Sequence, residues 1–364
     1  MFGLCYNECI DERGRIHMDN KYFGYAGTYT RESSKGIYRF VLDTKAGELR
    51  DVQVAAEIGS PTYVTISEDN NYLYSVAQQD DLGGVAAYKI DETTGALSHI
   101  NEQLEAGAPP CHLAVEQAKL TTGNYHKGTV ELHHILEDGG VSETVSSVQH
   151  EGDGPHERQE KPHVHYAAHT PDGRYVLVAD LGTDELVTYK VAADKLEKVH
   201  TFEAKPGSGP RHITFHPNGD IAYLLTELSS EVIVLDYDAT SGQFTELQTI
   251  CALPEDFTET NDASAIHITS DGKFLYTGNR GHNSITTFQV NETGKKLTCV
   301  DHTPTGGEWP RDFVLDPSEA YVVAANQHTG NLVLFARDKN TGKLTQLDSE
   351  VRVPETVCVK FLQK

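Results

Sequence analysis

Arginine, glutamate and histidine recur at matching places in this sequence, next to the ends of short apolar runs. Directly after a proline come Thr62, Cys111, His163, Arg211, Arg311 and Glu355, with Ala263–Ser264 in the corresponding place of a run that lacks the proline. At the far ends of a second set of runs come Gly27, Ala77, Asn124, Asp180, Glu227, Asn279 and Asn326. Arg280 and Gln327 follow one residue later. Guanidinium groups bind carboxylate and phosphate oxygens two at a time, and a glutamate or a histidine can move a proton. If these positions converge, they form a pocket for a small anion with acid–base groups at hand. Taken singly, any of them could be a structural ion pair. Taken together they point to a site, because arginine is seldom placed near a buried axis without an anionic partner.

Other chemistries find little support. His163, His165 and His169 form an HxHxxxH pattern, and on a strand His163 and His165 would share a face. No carboxylate is placed locally to complete a metal site, so neither metal nor cofactor is expected. There is no GxSxG, GxGxxG or P-loop pattern. The six cysteines are scattered, with no CxxC pair, which reads as reduced thiols in a cytoplasm.

The elements that must hold these residues are strands. Runs rich in Val, Ile, Tyr and Thr are separated by Gly, Asp and Asn, and no sustained helical period appears. One strand type occurs seven times, starting near Gly36, Gly84, Gly128, Glu185, Glu231, Ser284 and Asn331, at spacings of 48, 44, 57, 46, 53 and 47. Turns such as DTKAGEL, DETTGAL and DKNTGKL follow it, with glycine supplying the positive φ of a hairpin. A second strand type precedes each copy, and a third precedes that one. Four strands per repeat, seven times, is an all-β, seven-bladed β-propeller. The first repeat lacks its innermost strand, and VCVKFL at the C-terminus is a spare of that type. The expectation is a ring closed by pairing the C-terminal strand with the N-terminal blade. Residues 1–19 are expected to be a leader outside the repeat, and 20–364 the propeller.

Composition narrows the partners. Thirty Lys+Arg stand against 54 Asp+Glu, a formal charge of −24, which excludes nucleic acid as the main partner. No run of about 18 apolar residues is present, so no membrane span is expected. The N-terminal residues do not read as an export signal.

The sequence also resembles a known family, the seven-bladed propeller lactonases. These comprise the bacterial propeller-type 6-phosphogluconolactonases and the fungal carboxy-cis,cis-muconate lactonizing enzymes. The resemblance rests on ERQEKPHVH at Glu157–His165, GPRHITFHPNGDIAYLLTELSSEV at Gly209–Val232, LPEDFT at Leu253–Thr258, IHITSDGKFLYTGNRGHNSI at Ile266–Ile285 and WPRDFVLDPSEAYVVAANQ at Trp309–Gln327. It implies a catalytic set of His163, Arg211, Glu227 and Arg280. Gln159, His212, Arg311, Asn326 and Gln327 are expected as substrate contacts. Thr226 and His156 stand where the family more often has Asn. The long linkers, roughly Ser142–Pro162 and Pro254–Asp262, are expected to rim the pocket.

The implied activity is hydrolysis of 6-phosphoglucono-δ-lactone in the cytoplasmic pentose phosphate pathway, with Glu227 or His163 as base. Two alternatives stand beside it: cyclisation of a carboxymuconate, and a non-catalytic propeller that binds an anion or a partner. Burial of Arg211, Glu227 and Arg280 in mutual ion pairs, with no open cleft, would favour the last.

Overall fold

The computed structural model describes residues 9–10, 16–17 and 20–363. The expected leader, residues 1–19, lies outside the described residues apart from a two-residue strand pairing, Cys9–Ile10 with Ile16–His17. No helix occurs among the described residues; the remaining strands form seven antiparallel sheets of four.

The sheets follow one another in chain order except at the join. There the C-terminal strand Thr356–Phe361 pairs with Lys21–Thr28, in the register Gly24↔Phe361 to Thr28↔Thr356. The N-terminal blade is therefore completed from the far end of the chain, as the missing and spare strands imply. The closed ring leaves only short, protected strand edges.

Packing follows from alternation. Seven apolar clusters form, each built from two neighbouring blades. The cluster holding Phe40, Leu42, Val323, Leu334 and Phe361 seals the join between the last blade and the first. Outer strands alternate half-buried and exposed positions, as in Val141–Gln149, because only one face packs on a neighbour. That strand also corrects an expectation: Ser142–Gln149 belongs to a blade edge, so the irregular linker is only 150–163.

The hairpin turns also lock blade to blade. Gly95, Gly294 and Gly342 have φ of 65°, 75° and 72°, and their carbonyls face the preceding blade. Tyr25, Tyr223 and Tyr276 donate to them at 2.8, 2.7 and 2.8 Å. The turn glycines thus provide acceptors for otherwise buried phenols.

A second recurring device sets the site. Near the start of the innermost strand the register slips by one residue. Pro210 pairs with Thr226 and His212 with Leu225, so Arg211 bulges between them. His165 bulges in the same way between Val164 and Tyr166, and Arg311 between Pro310 and Asp312. A bulge releases a side chain from strand alternation and re-aims it; here it turns three of them toward the axis.

Candidate active site

Glu227 is the hub. It follows the strand Ile221–Thr226, with its N–H donating to Gly209 O at 2.7 Å and its carbonyl accepting from Ala263 N at 3.1 Å, so two neighbouring blades hold its backbone. Its buried carboxylate meets three guanidiniums. Arg211 Nε donates to Oε2 at 2.8 Å, and Arg280 Nη2 stands 2.7 Å from the same oxygen. Arg158 Nη2 donates to Oε1, while its Nη1 reaches Asp262 Oδ1 at 2.9 Å. His165 Nε2 stands 4.0 Å from Oε2. Arg211 and Arg280 are anchored further by the carbonyls of Ser264 and Ala263.

These neighbours set the protonation states. Burial alone would raise the Glu227 pKa, but Arg280 and Arg211, with His165 and Arg158 behind them, hold it well below the usual carboxylate range. Burial, then the Arg211 charge, pushes His165 well below an ordinary imidazole. It is therefore neutral at neutral pH, and its Nδ1 is buried with no hydrogen-bond partner among the described residues. Burial, with Arg280 beside it, brings Arg211 down to about 10, still protonated at neutral pH. Cys111 is no nucleophile, since burial pushes its thiol up to about 11.

Arg311 completes the centre. Its charge adds to the burial and the neighbours that hold His165, Arg211 and Arg280 below their ordinary values. It is half-buried and rests 5.8 Å from the centroid of the Tyr29 ring. No carboxylate lies within ion-pair distance of it among the described residues. Four guanidiniums, of Arg158, Arg211, Arg280 and Arg311, thus face two carboxylates, Glu227 and Asp262. The centre holds an excess of two positive charges.

The expected residues divide. Arg211, Glu227 and Arg280 come together, with Arg311 beside them. His163 does not join them. Its Nδ1 lies 2.9 Å from Tyr125 O, its Nε2 3.2 Å from Glu160 Oε2, and its ring stacks on Tyr125. The histidine beside Glu227 is His165. The shared face expected for the two is lost because His163 precedes the strand and His165 sits on the bulge.

Gln159 is a brace. Its Nε2 donates to Leu181 O at 2.8 Å and its Oε1 accepts from His156 N at 3.0 Å, which ties down the 150–163 loop. Asn326 braces the 305–309 loop, donating to Thr305 O at 3.1 Å. Gln327 keeps a buried Oε1 without a partner among the described residues. His212 turns into the channel, its ring 5.3 Å from His165 and 5.5 Å from His112. Glu355 is structural, its carboxylate accepting from the N–H groups of Arg31, Glu32 and Ser34. Among the described residues no three His, Cys, Asp or Glu side chains converge as a metal site.

Sequence reasoning missed Arg158 and passed over His165. Arg158 lies on an irregular loop outside the repeat, so no register points to it. His165 could have been found by aligning on the strand start instead of the proline.

Comparison with known proteins agrees with this fold. The family model for lactonases of the 7-bladed β-propeller type matches residues 23–361. The 6-phosphogluconolactonase of Bacillus subtilis is 51% identical over 346 residues, covering 94% of this chain and 99% of that protein. The crystal structure of a Lactobacillus plantarum protein superposes with a TM-score of 0.90 at 41% identity, covering 94% of this chain and 100% of that one. A periplasmic gluconolactonase of Pseudomonas aeruginosa superposes with a TM-score of 0.89 at 30% identity, covering 94% and 99%.

Proposed function

This chain belongs to the seven-bladed β-propeller lactonases, and on that premise we propose that it hydrolyses 6-phosphoglucono-δ-lactone to 6-phosphogluconate, a step of the pentose phosphate pathway. The observation that carries the reading is the positive excess at the centre of an acidic chain, next to a neutral buried imidazole. A polyanionic lactone brings the charge the centre lacks.

The roles follow from the electrostatics. Both oxygens of the Glu227 carboxylate are taken up by guanidiniums, which leaves neither to activate water. His165, neutral at neutral pH and beside Glu227, takes the proton as water adds to the lactone carbonyl. Glu227, 4.0 Å from the ring, steadies the imidazolium that results. Arg211 and Arg280 stabilise the negative charge that develops on the carbonyl oxygen. The imidazolium then returns the proton to the ring oxygen as the C–O bond breaks. This chemistry needs no metal.

The test is direct. Purified protein accelerates hydrolysis of the phospholactone well above its spontaneous rate, and Arg211→Ala abolishes the gain; no acceleration overturns the reading. The mutual ion pairs of Arg211, Glu227 and Arg280 favour a second reading, an anion-binding propeller without catalysis. Binding of the product without turnover of the lactone would select it. Turnover of a carboxymuconolactone in a parallel assay would select the cyclase instead.

The propeller from residue 20 onward is proposed to suffice, so protein beginning at Met18 keeps full activity. No helix among the described residues is long and apolar enough to cross a membrane. The cytoplasmic site proposed for the reaction is checked by cell fractionation.

A further inference from the structure

Two arginines share one ring at the mouth of the site. The Arg31 guanidinium carbon lies 3.9 Å from the Tyr29 centroid and that of Arg311 5.8 Å from it. The two cations are therefore no more than about 10 Å apart. Neither has a carboxylate within ion-pair distance among the described residues, in a chain whose formal charge is −24. With acidic side chains so abundant, two neighbouring arginines left unpaired are a vacancy for an anion.

The segment that carries them is built to stay in place. The N–H groups of Arg31, Glu32 and Ser34 donate to the Glu355 carboxylate at 3.0, 3.0 and 3.2 Å, and Tyr29 N donates to Glu355 O at 3.0 Å. Thr28 Oγ1 donates to Gly36 O at 2.7 Å and lies 2.5 Å from Ser34 Oγ, closing the loop at its base. Glu355 spends its carboxylate on backbone amides, which fixes the loop and leaves the Arg31 head exposed. Arg311 comes from the bulge on the strand Pro310–Leu315 and faces inward. Arg31 faces outward across the mouth, where its charge and that of Lys161 reach His126. Tyr29 thus stands between rim and centre.

We propose that Arg31, Arg311 and the Tyr29 hydroxyl form a phosphomonoester subsite, which holds the 6-phosphate of the substrate while its lactone carbonyl lies at His165 and Glu227. The assignment rests on the lactonase reading above and adds the residues that select a phosphorylated sugar. The carbonyl and the phosphate are at opposite ends of that molecule, so one cluster of arginines cannot serve both. Arg211 and Arg280, held on Glu227, serve the carbonyl end. Arg31 and Arg311 are free to fork onto phosphate oxygens.

The experiment compares 6-phosphoglucono-δ-lactone with glucono-δ-lactone on wild-type protein, Arg31→Gln and Arg311→Gln. The ratio of kcat/KM for the two lactones, phosphorylated over plain, falls about tenfold or more in each variant, through KM. In wild type, inorganic phosphate competes with the phospholactone, and Arg311→Gln weakens that competition. An unchanged ratio in both variants overturns the subsite, even if both lactones are turned over more slowly. Failure of the wild type to accelerate either lactone is a separate result and overturns the lactonase reading itself. Circular dichroism and melting temperature show that each variant is folded.

Discussion

The His165 imidazole stands 4.0 Å from the Glu227 carboxylate, while His163, two residues earlier, points its Nε2 at Glu160 from 3.2 Å. Replacing His165 by Asn removes the proposed base and lowers kcat by about 10²- to 10⁴-fold. His163→Asn, which disturbs only the Tyr125 and Glu160 contacts, costs far less. Steady-state kinetics on the two variants check this, and the reverse order would return the role to His163.

The pH profile follows from the same pair. His165 is held well below the ordinary imidazole value of 6.5, first by burial and then by Arg211. The base is therefore already neutral at pH 6.5, and activity is lost only when the pH falls through its much lower pKa. The profile of kcat/KM is expected to be flat between about pH 6 and 7.5. An acidic limb centred near 6.5 would contradict it.

Arg158 bridges Glu227 and Asp262 from the 150–163 loop, with about a third of its side chain exposed. Arg158→Ala is expected to lower kcat about tenfold or more by loosening Glu227. Stability changes by no more than about 1 kcal/mol, since so much of the side chain is solvated. Arg158→Lys does not restore activity, because one ammonium cannot span two carboxylates as a planar fork does. Full rescue by lysine would show that only the charge matters.

Asp312 ties the closing strand into the ring. Its Oδ2 accepts from Val359 N at 2.9 Å and faces Lys360 Nζ at 3.5 Å. Burial alone would raise its pKa, yet the Lys360 charge, helped by His267 and the Val359 amide, brings it to about 2. A depressed carboxyl adds stability above the unfolded value of 3.8, and that stability is lost as the pH falls through about 2. Asp312→Ala leaves Lys360 without its carboxylate and is expected to cost about 2–4 kcal/mol at neutral pH. Urea unfolding measures the loss, which shrinks toward pH 2. A pH-independent loss would point to packing instead of charge.

Tyr223 donates to Gly294 O of the next blade at 2.7 Å. Tyr223→Phe keeps the packing but strands a buried carbonyl, at about 1 kcal/mol. Thermal melts test it; no shift would mean that water replaces the phenol.

Much of this molecule was legible in the sequence because a propeller repeats itself. Strand type, turn chemistry and blade number recur at near-constant spacing, and the missing and spare strands at the two ends imply the closed ring. Repeat alignment also brings Arg211, Glu227 and Arg280 together, since equivalent positions in successive blades face one axis. Tertiary structure decided what the repeat does not encode. The one-residue bulge puts His165, not His163, beside Glu227, and strand alternation alone is blind to a bulge. Gln159 and Asn326 brace loops because their amides find backbone partners that only the folded chain supplies. Arg158 and Arg31 sit on irregular loops, whose course depends on contacts distant in sequence: Glu227 and Asp262 for one, Glu355 and Tyr29 for the other. A periodic pattern determines where strands go; which side chains meet above them is settled when the loops fold over the ring.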